Sequence, residues 1–210
     1  KEKTGILFEE ADGVYISIQG KDRKKSRKRK QEMKVGLAYK GCKDDNGKTV
    51  LIGKVSFAGF YTTDDFWERR EAMLRRVYNL DEVKLRVLNS DGAAWIRNAC
   101  DGDVIYQLDR FHIEQALTKK IGSGRVRNTI RKMLAHKDFE NLFEYIEIYR
   151  NGLSGKAYDD ANDFLTYLMN NKDGLLSYRD RNIPIPEPEE GMFYKNLGTL
   201  ENHNFSIICQ

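Results

Sequence analysis

Residues 33–57 of this chain, MKVGLAYKGCKDDNGKTVLIGKVSF, decide the fold. Their first part alternates apolar with other side chains, at Met33, Val35, Leu37 and Tyr39. A period of two is typical of a strand with one buried face. The tripeptide Asp45-Asn46-Gly47 follows, and Asn-Gly is the strongest short signal for a hairpin turn. Residues 49–57 then predict the next strand, with Val50, Ile52 and Val55 as its apolar members.

The residues before this stretch predict one more strand. Val14, Ile16 and Ile18 alternate with other side chains, and the segment 6–12 leads into them with three apolar residues followed by Ala-Asp. Three successive strands of this kind form an antiparallel meander.

From Thr63 the apolar residues change to helical spacing, and Thr62 or Thr63 can cap the start of this helix. Strand and helix signals then alternate: a strand at 83–88, a short helix at 93–99, a strand at 104–108 and a helix at 111–121. A meander followed by this alternation predicts an α/β fold, in which a mixed sheet is flanked by helices.

The rest of the chain lacks strand signals. Helices are expected at residues 126–136, 139–150, 158–170 and around 175–181, and three prolines at 184, 186 and 188 form a stiff connector. We therefore expect three parts: a mixed α/β core over residues 1–122, a helical insertion over 123–183, and a connector with the start of a last helix over 184–210.

Composition excludes several classes of protein. The 210 residues are 40% hydrophobic, too apolar for a disordered chain. The sequence has neither an apolar run long enough to cross a bilayer nor a signal-peptide pattern at its start. The three cysteines do not have the spacing of a zinc ribbon, and a disulfide scaffold is not expected. We expect a globular protein of the cytoplasm that is not attached to a membrane.

The formal net charge of +4 hides one strongly basic segment. Residues 21–30, KDRKKSRKRK, contain eight basic residues and one acid: Lys21, Arg23, Lys24, Lys25, Arg27, Lys28, Arg29 and Lys30. A solvated loop and a contact with nucleic-acid phosphates account for such a run about equally well. A nuclear-localisation signal also fits the string.

Two Asp-Gly pairs follow apolar strand segments, at Asp12 and at Asp91. Each could be a turn or a helix cap. If the two strands are neighbours, however, both carboxylates meet at one edge of the sheet, where magnesium ions could bind them. Glu201, beyond the proline connector, is a candidate third acid by position alone.

Two other motifs carry less weight. Residues 41–49, GCKDDNGKT, have five residues between the glycines where a P-loop needs four, and they lie between two strands, so we reject a P-loop. Asp109 and His112 form a D-x-x-H string, which suggests a pair of metal ligands. A single histidine near a helix start is more often structural or a phosphate contact.

Five strings together resemble the ISLre-type bacterial insertion-sequence transposases, a group related to the Mutator-like DDE transposases. They occur in family order between residues 7 and 205: EADGVYI, MKVGLAYKG, RVLNSDGAAWI, QLDRFHIEQAL and NLGTLENHNF. The resemblance implies an RNase H-like fold with a helical insertion before the last catalytic acid.

The resemblance also implies a role for each candidate residue. Asp12, Asp91 and Glu201 match the catalytic triad that holds two Mg²⁺ or Mn²⁺ ions, and Asp109 and His112 match an auxiliary [C/D]-x-x-H signature. The expected reaction is metal-dependent DNA cleavage and strand transfer. The expected partners are transposon ends, target DNA and further copies of the chain, with the basic segment on the DNA backbone.

Relative to this family, the chain begins almost at the first strand and stops inside the last helix. The resemblance thus implies a fragment of the catalytic domain. Two alternatives stay open on the sequence: a DNA-binding remnant without activity, and an RNase H-like nuclease that does not join strands.

Overall fold

The computed structural model describes residues 1–20, 29–98, 100 and 104–198. These divide into two compact units, Lys1–Tyr106 with the residues from Asn182 onward, and Gln107–Arg181. Among the described residues, no helix is both long and apolar enough to cross a membrane.

The first unit is built on a five-stranded mixed sheet in the order β5-β2-β1-β6-β7. Its strands are β1 (Ile6–Ser17), β2 (Lys30–Tyr39), β5 (Val55–Gly59), β6 (Leu85–Ser90) and β7 (Val104–Leu108). Strand β2 is antiparallel to both β1 and β5, whereas β6 is parallel to β1. An antiparallel meander followed by two further strands is the RNase H-like mixed sheet that the sequence predicts, and this fold class is confirmed.

The third strand of the meander differs from its prediction. The Asn46-Gly47 turn does form a hairpin, but it joins β3 (Gly41–Asp45) to β4 (Lys48–Ile52) in a separate two-stranded sheet. Gly53 has a positive φ of 66°, so the chain turns there and starts β5 afresh at Val55. The predicted strand over residues 49–57 is therefore two strands, because a glycine in the left-handed region interrupts the extended backbone.

Helix α1 (Thr63–Val77) covers one face of the sheet. Its N-cap is Thr62, whose side chain accepts a hydrogen bond from the Asp65 backbone N–H at 3.2 Å. The apolar face of α1 packs on strand residues in two buried clusters: Leu7, Ala38, Val55, Leu74 and Tyr78, and Ala11, Phe57, Phe66, Leu88 and Ile96. The short helix α2 (Ala94–Arg97) follows β6 and supplies Ile96.

The second unit is helical after the end of β7. It contains α3 (Arg110–Lys120), α4 (Gly124–His136), α5 (Phe139–Asn151) and α6 (Gly155–Asn170), with short 3₁₀ turns at Lys172–Gly174 and Tyr178–Asp180. Helix α6 packs on α3 and α5, and α5 packs on α4. Its core consists of residues at helical spacing that are nearly inaccessible to solvent, among them Leu117, Ile130, Ile146, Phe164 and Leu168.

Candidate active site

Asp12 lies inside strand β1 and not in a turn. It is opposite Val35 of β2 and is only 9% exposed. Its Oδ1 accepts a hydrogen bond from the backbone N–H of Gly13 at 2.7 Å. The Asp12-Gly13 pair allowed a turn at this point, but β1 continues to Ser17 and pairs with β2 along that part of its length. The part of β1 that pairs with β6 does end at Ala11.

Asp91 is the first residue after β6. Its Oδ1 accepts a hydrogen bond from the backbone N–H of Ala93 at 2.8 Å, just before helix α2. Gly92, between them, has a φ of 91°, a conformation that glycine adopts without strain. This turn fixes the position of the Asp91 carboxylate at the end of the strand.

The register of the sheet makes the two aspartates neighbours. The last recorded pair between the parallel strands β1 and β6 is Ala11 with Ser90. One residue further along each strand come Asp12 and Asp91, and adjacent strands are about 4.8 Å apart. Ala11 points into the cluster under α1, so the alternation of strand side chains places Asp12 on the opposite face.

Two further polar residues are buried on the Asp12 face. Glu10, two residues before Asp12, is 2% exposed and accepts a hydrogen bond from the Tyr39 hydroxyl at 3.0 Å. Asn89 pairs with Glu10 in the parallel register and is 1% exposed. We did not single out either residue from the sequence. The sequence could have pointed to Glu10, because residues i and i+2 of a strand share a face and Glu10 is two residues before Asp12.

The opposite face of β1 carries a carboxylate with fixed charged partners. Glu9 is 2% exposed, and its carboxylate accepts hydrogen bonds from Arg70 Nε of α1 at 2.6 Å and from Arg86 Nε of β6 at 2.8 Å. Burial opposes the charge on Arg86, but Glu9 and Glu71 outweigh burial and raise the pKa of this guanidinium. This network ties β1, β6 and α1 together beneath the aspartates.

The donor atoms at the aspartate edge are carboxylate oxygens, the ligands that Mg²⁺ and Mn²⁺ prefer. Within the described part of the chain, no three His, Cys, Asp or Glu residues are grouped closely enough to hold a metal ion by themselves. Glu201, the predicted third ligand, lies outside the described residues.

Asp109 and His112 lie in the second unit, on the first turn of α3. Asp109 is the N-cap of this helix, is 5% exposed, and accepts a hydrogen bond from the Phe111 backbone N–H at 2.9 Å. His112 is half-buried, with its ring edge-to-face against Phe111 at 5.5 Å. The capping bond gives Asp109 a structural role in the start of α3.

Only the end of the basic segment lies within the described residues. Arg29 and Lys30 are exposed, Lys30 pairs with Ser17, and the Arg29 carbonyl accepts a hydrogen bond from the Ile18 backbone N–H. The other six basic residues are outside the described ranges: Lys21, Arg23, Lys24, Lys25, Arg27 and Lys28. Strands β1 and β2 remain paired beyond Ala11, so the segment joins them at the same end of the sheet as Asp12 and Asp91.

Comparison with known sequences places this chain in a family. The profile of an uncharacterised protein family, UPF0236, matches residues 1–189. The chain belongs to the UPF0236 family. A UPF0236 protein from Streptococcus gallolyticus, described as lying in the vanSb 3′ region, is 28% identical over 212 aligned residues. The alignment covers 97% of this UPF0236 chain and 44% of the Streptococcus protein, so the chain spans less than half of that relative's length.

Proposed function

We propose that this chain is the catalytic domain of a DDE-type transposase of the ISLre-type group, related to the Mutator-like transposases. It would cleave DNA and join the ends in the transposition of an insertion sequence. The observation that carries the proposal is the position of Asp12 and Asp91, one residue beyond the last β1–β6 pair on adjacent strands. Two carboxylates side by side on adjacent parallel strands, where their pairing ends, can share divalent cations.

Asp12, Asp91 and Glu201 would hold two Mg²⁺ or Mn²⁺ ions. Such ions, when bound, acidify the attacking water or 3′-hydroxyl and stabilise the leaving oxygen of the phosphodiester. The contribution of the chain is to hold the ligand oxygens in place. The backbone N–H groups of Gly13 and Ala93 each fix one carboxylate oxygen, at 2.7 and 2.8 Å, which limits the rotation of both side chains.

The path of the chain supports a place for Glu201 near these aspartates. Tyr194 packs edge-to-face on Phe8 at 5.2 Å, and Phe8 shares the Asp12 face of β1. Asp12 is four residues along the strand from Phe8, about 13 Å. Glu201 follows Tyr194 by seven residues, which span up to about 24 Å when extended. The chain between Tyr194 and Glu201 is therefore long enough for Glu201 to reach Asp12.

The DNA would contact the basic segment between β1 and β2, because the β1–β2 pairing runs past Asp12 to Ser17 and Lys30, between which this segment lies in the sequence. Such contacts with the phosphate backbone give affinity that depends on salt and not on sequence. His112 would serve as an auxiliary phosphate contact.

The test is metal-dependent nicking of supercoiled DNA by this chain and by Asp91→Asn. We expect nicking in Mg²⁺ or Mn²⁺ that EDTA abolishes, and a loss of at least about 10³-fold in Asp91→Asn, since each tenfold in rate is about 1.4 kcal/mol and a metal site supplies several kcal/mol. Asp81→Asn is the matched control, because Asp81 is in the same unit but has a side chain that is 84% exposed.

Thermal unfolding of both variants shows whether they fold. DNA binding without any metal-dependent cleavage would favour the remnant instead. Cleavage of DNA without joining of a 3′ end to a target strand would favour the nuclease. Equal nicking by wild type and Asp91→Asn would contradict the proposed site.

A further inference from the structure

The helical unit divides its charge between its two halves. Residues 107–137, which include α3 and α4, contain eight Lys and Arg residues against two acids, whereas residues 138–181 contain five against nine. Between Glu114 and Asp138 there is no acid at all. We did not single out this stretch from the sequence, because its seven basic residues are spread over 23 positions and do not form a run.

Half of the eight cations have partners within the unit. Lys120 pairs with Asp160 and Asp163, Arg131 with Glu114, and Lys137 with Asp180, while Arg127 donates to two backbone carbonyls. The other four are exposed and form no ion pair within the described part of the chain: Arg110, Lys119, Arg125 and Lys132. The unit thus gives four of these cations a partner of its own and leaves the other four exposed without an ion pair among the described residues.

Two of the exposed cations lie on one face of α4. Arg125, Asn128, Lys132 and His136 are all exposed and follow one another at spacings of three and four residues, which is the repeat of a helix face. Ile130 and Leu134 are buried on another side of the helix, which packs on α5. Arg125 and Lys132 are two turns apart, about 10.5 Å along the axis. We call the four exposed residues the α4 face.

We propose that the α4 face binds the phosphate backbone of double-stranded DNA, as a contact separate from residues 21–30. The inference rests on the proposed function for the identity of the polyanion. The α4 face offers two exposed positive charges, and none of its four residues is acidic; Asn128 Oδ1 accepts a hydrogen bond from Arg131, which also pairs with Glu114. Duplex DNA carries one charge per about 1.7 Å of axis, so cations at almost any spacing on a straight helix meet phosphates. An acidic protein surface would have to match the positions of these cations individually.

The test is the salt dependence of binding of the full chain to a fluorescent duplex of arbitrary sequence, in EDTA so that no cleavage occurs. The variant is Arg125→Gln/Lys132→Gln, in which both replacements are good helix formers on an exposed face. We expect the slope of log K against log salt to become shallower by about 2, and affinity in 0.1 M salt to fall about tenfold or more. The matched control is Lys172→Gln, an exposed lysine of the same unit outside α4.

Each outcome bears on the proposal in a defined way. An unchanged slope and affinity in the double variant, with wild-type binding intact, would overturn the α4 contact and leave the proposed transposase function standing. Loss of binding in the variant together with no metal-dependent nicking by wild type would support the contact and count against the transposase. Absence of any duplex binding by wild type overturns the contact. Altered sedimentation of the variant without DNA, at unchanged DNA affinity, also overturns it and assigns the face to a second copy of the chain.

The thermal midpoint of the double variant is measured in parallel. If it falls well below that of Lys172→Gln, the single variants Arg125→Gln and Lys132→Gln replace it. Each removes one charge, and we expect the slope to become shallower by about 1 in each. An unchanged slope in both single variants would overturn the contact.

Discussion

Glu9 and Asp12 are buried carboxylates on the same strand, three residues apart, on opposite faces of the sheet. Glu9 lies against α1, where two guanidinium groups from Arg70 and Arg86 neutralise it. Asp12 lies on the other face, at the point where the parallel strand β6 ends and is followed by Asp91. One acid is enclosed by charges that the fold supplies, and the other lies one residue beyond the last β1–β6 pair, in register with Asp91.

The difference separates the roles of the two acids. A buried carboxylate that is hydrogen-bonded to fixed cations is part of the packing, because removing it leaves those cations without compensation. A carboxylate beside a second carboxylate, at the point where the neighbouring parallel strand ends, is placed to share a metal cation. Substitution at Glu9 should therefore act on stability, and substitution at Asp12 should act on chemistry.

The largest expected effect is on catalysis, in Asp12→Asn. The amide keeps an oxygen to accept the Gly13 hydrogen bond but loses the charge that would hold a metal ion, so we expect nicking to fall by about 10³-fold or more. The free energy of unfolding should change by less than about 1 kcal/mol. Nicking assays and urea unfolding measure the two quantities. A large loss of stability with normal nicking per folded molecule would show that Asp12 has a structural role and not a catalytic one.

The second effect is on stability, in Glu9→Gln. The neutral amide leaves the buried Arg70 without its counter-charge and leaves Arg86 with Glu71 alone, which costs about 3–5 kcal/mol in free energy of unfolding. Glu71→Gln is the control: Glu71 also pairs with Arg86, but its side chain is 33% exposed, so its loss should cost about 1 kcal/mol or less. Urea denaturation measures both variants. Equal losses in the two would show that burial of Glu9 does not set its contribution.

A third variant tests how tightly the α1 face is packed. A Cβ atom on Gly36 would lie 2.3 Å from Cζ of Phe57, whose ring packs on Phe66. Gly36→Ala should cost about 1–3 kcal/mol, because the ring must move within a packed core. Gly122→Ala is the matched control, since nothing lies within 4 Å of its Cβ position. A smaller loss in the double variant Gly36→Ala/Phe57→Leu than in Gly36→Ala would assign the cost to this contact.

The sequence predicted the elements of the fold better than their limits. Alternation at Val35, Leu37 and Tyr39 was sufficient for β2, because each apolar residue faces a buried side. The same alternation misplaced the third strand, since nothing in a periodic pattern shows that Gly53 turns the chain by a positive φ. Turn conformation depends on contacts with residues far along the chain, such as the Tyr78 hydroxyl that donates to the Gly53 carbonyl.

The same limit applies to the site. The Asp-Gly pairs marked Asp12 and Asp91 as candidates, but strand order was needed to make them neighbours, and only the pairing of β1 with β6 supplies it. Glu10 was hidden among many acids until its face was known. The Glu9 network could not be predicted, because Arg70 and Arg86 are 61 and 77 residues away along the chain.

The smallest expected effect concerns a carboxylate at the surface, which extends the comparison beyond the two buried acids. Hydrogen bonds from Lys120 of α3 and Lys156 of α6 lower the pKa of Asp160 to about 2. Because the folded-state pKa is below the ordinary value of about 3.9, this interaction stabilises the fold above pH 4 and is lost as the pH falls from about 4 to about 2. We expect a lower thermal midpoint of the chain across that window.

Asp160→Asn removes this titration, and the fall in midpoint between pH 4 and pH 2.5 should be smaller in the variant than in the wild type. Asp159→Asn is the control, an exposed neighbour for which the described structure records no ion pair. The effect is small because both ends of the Asp160 pairs are near solvent, which screens them, whereas Glu9 lies where water cannot replace its partners. Identical pH profiles for wild type and Asp160→Asn would show that the Lys120 and Lys156 pairs add nothing to stability.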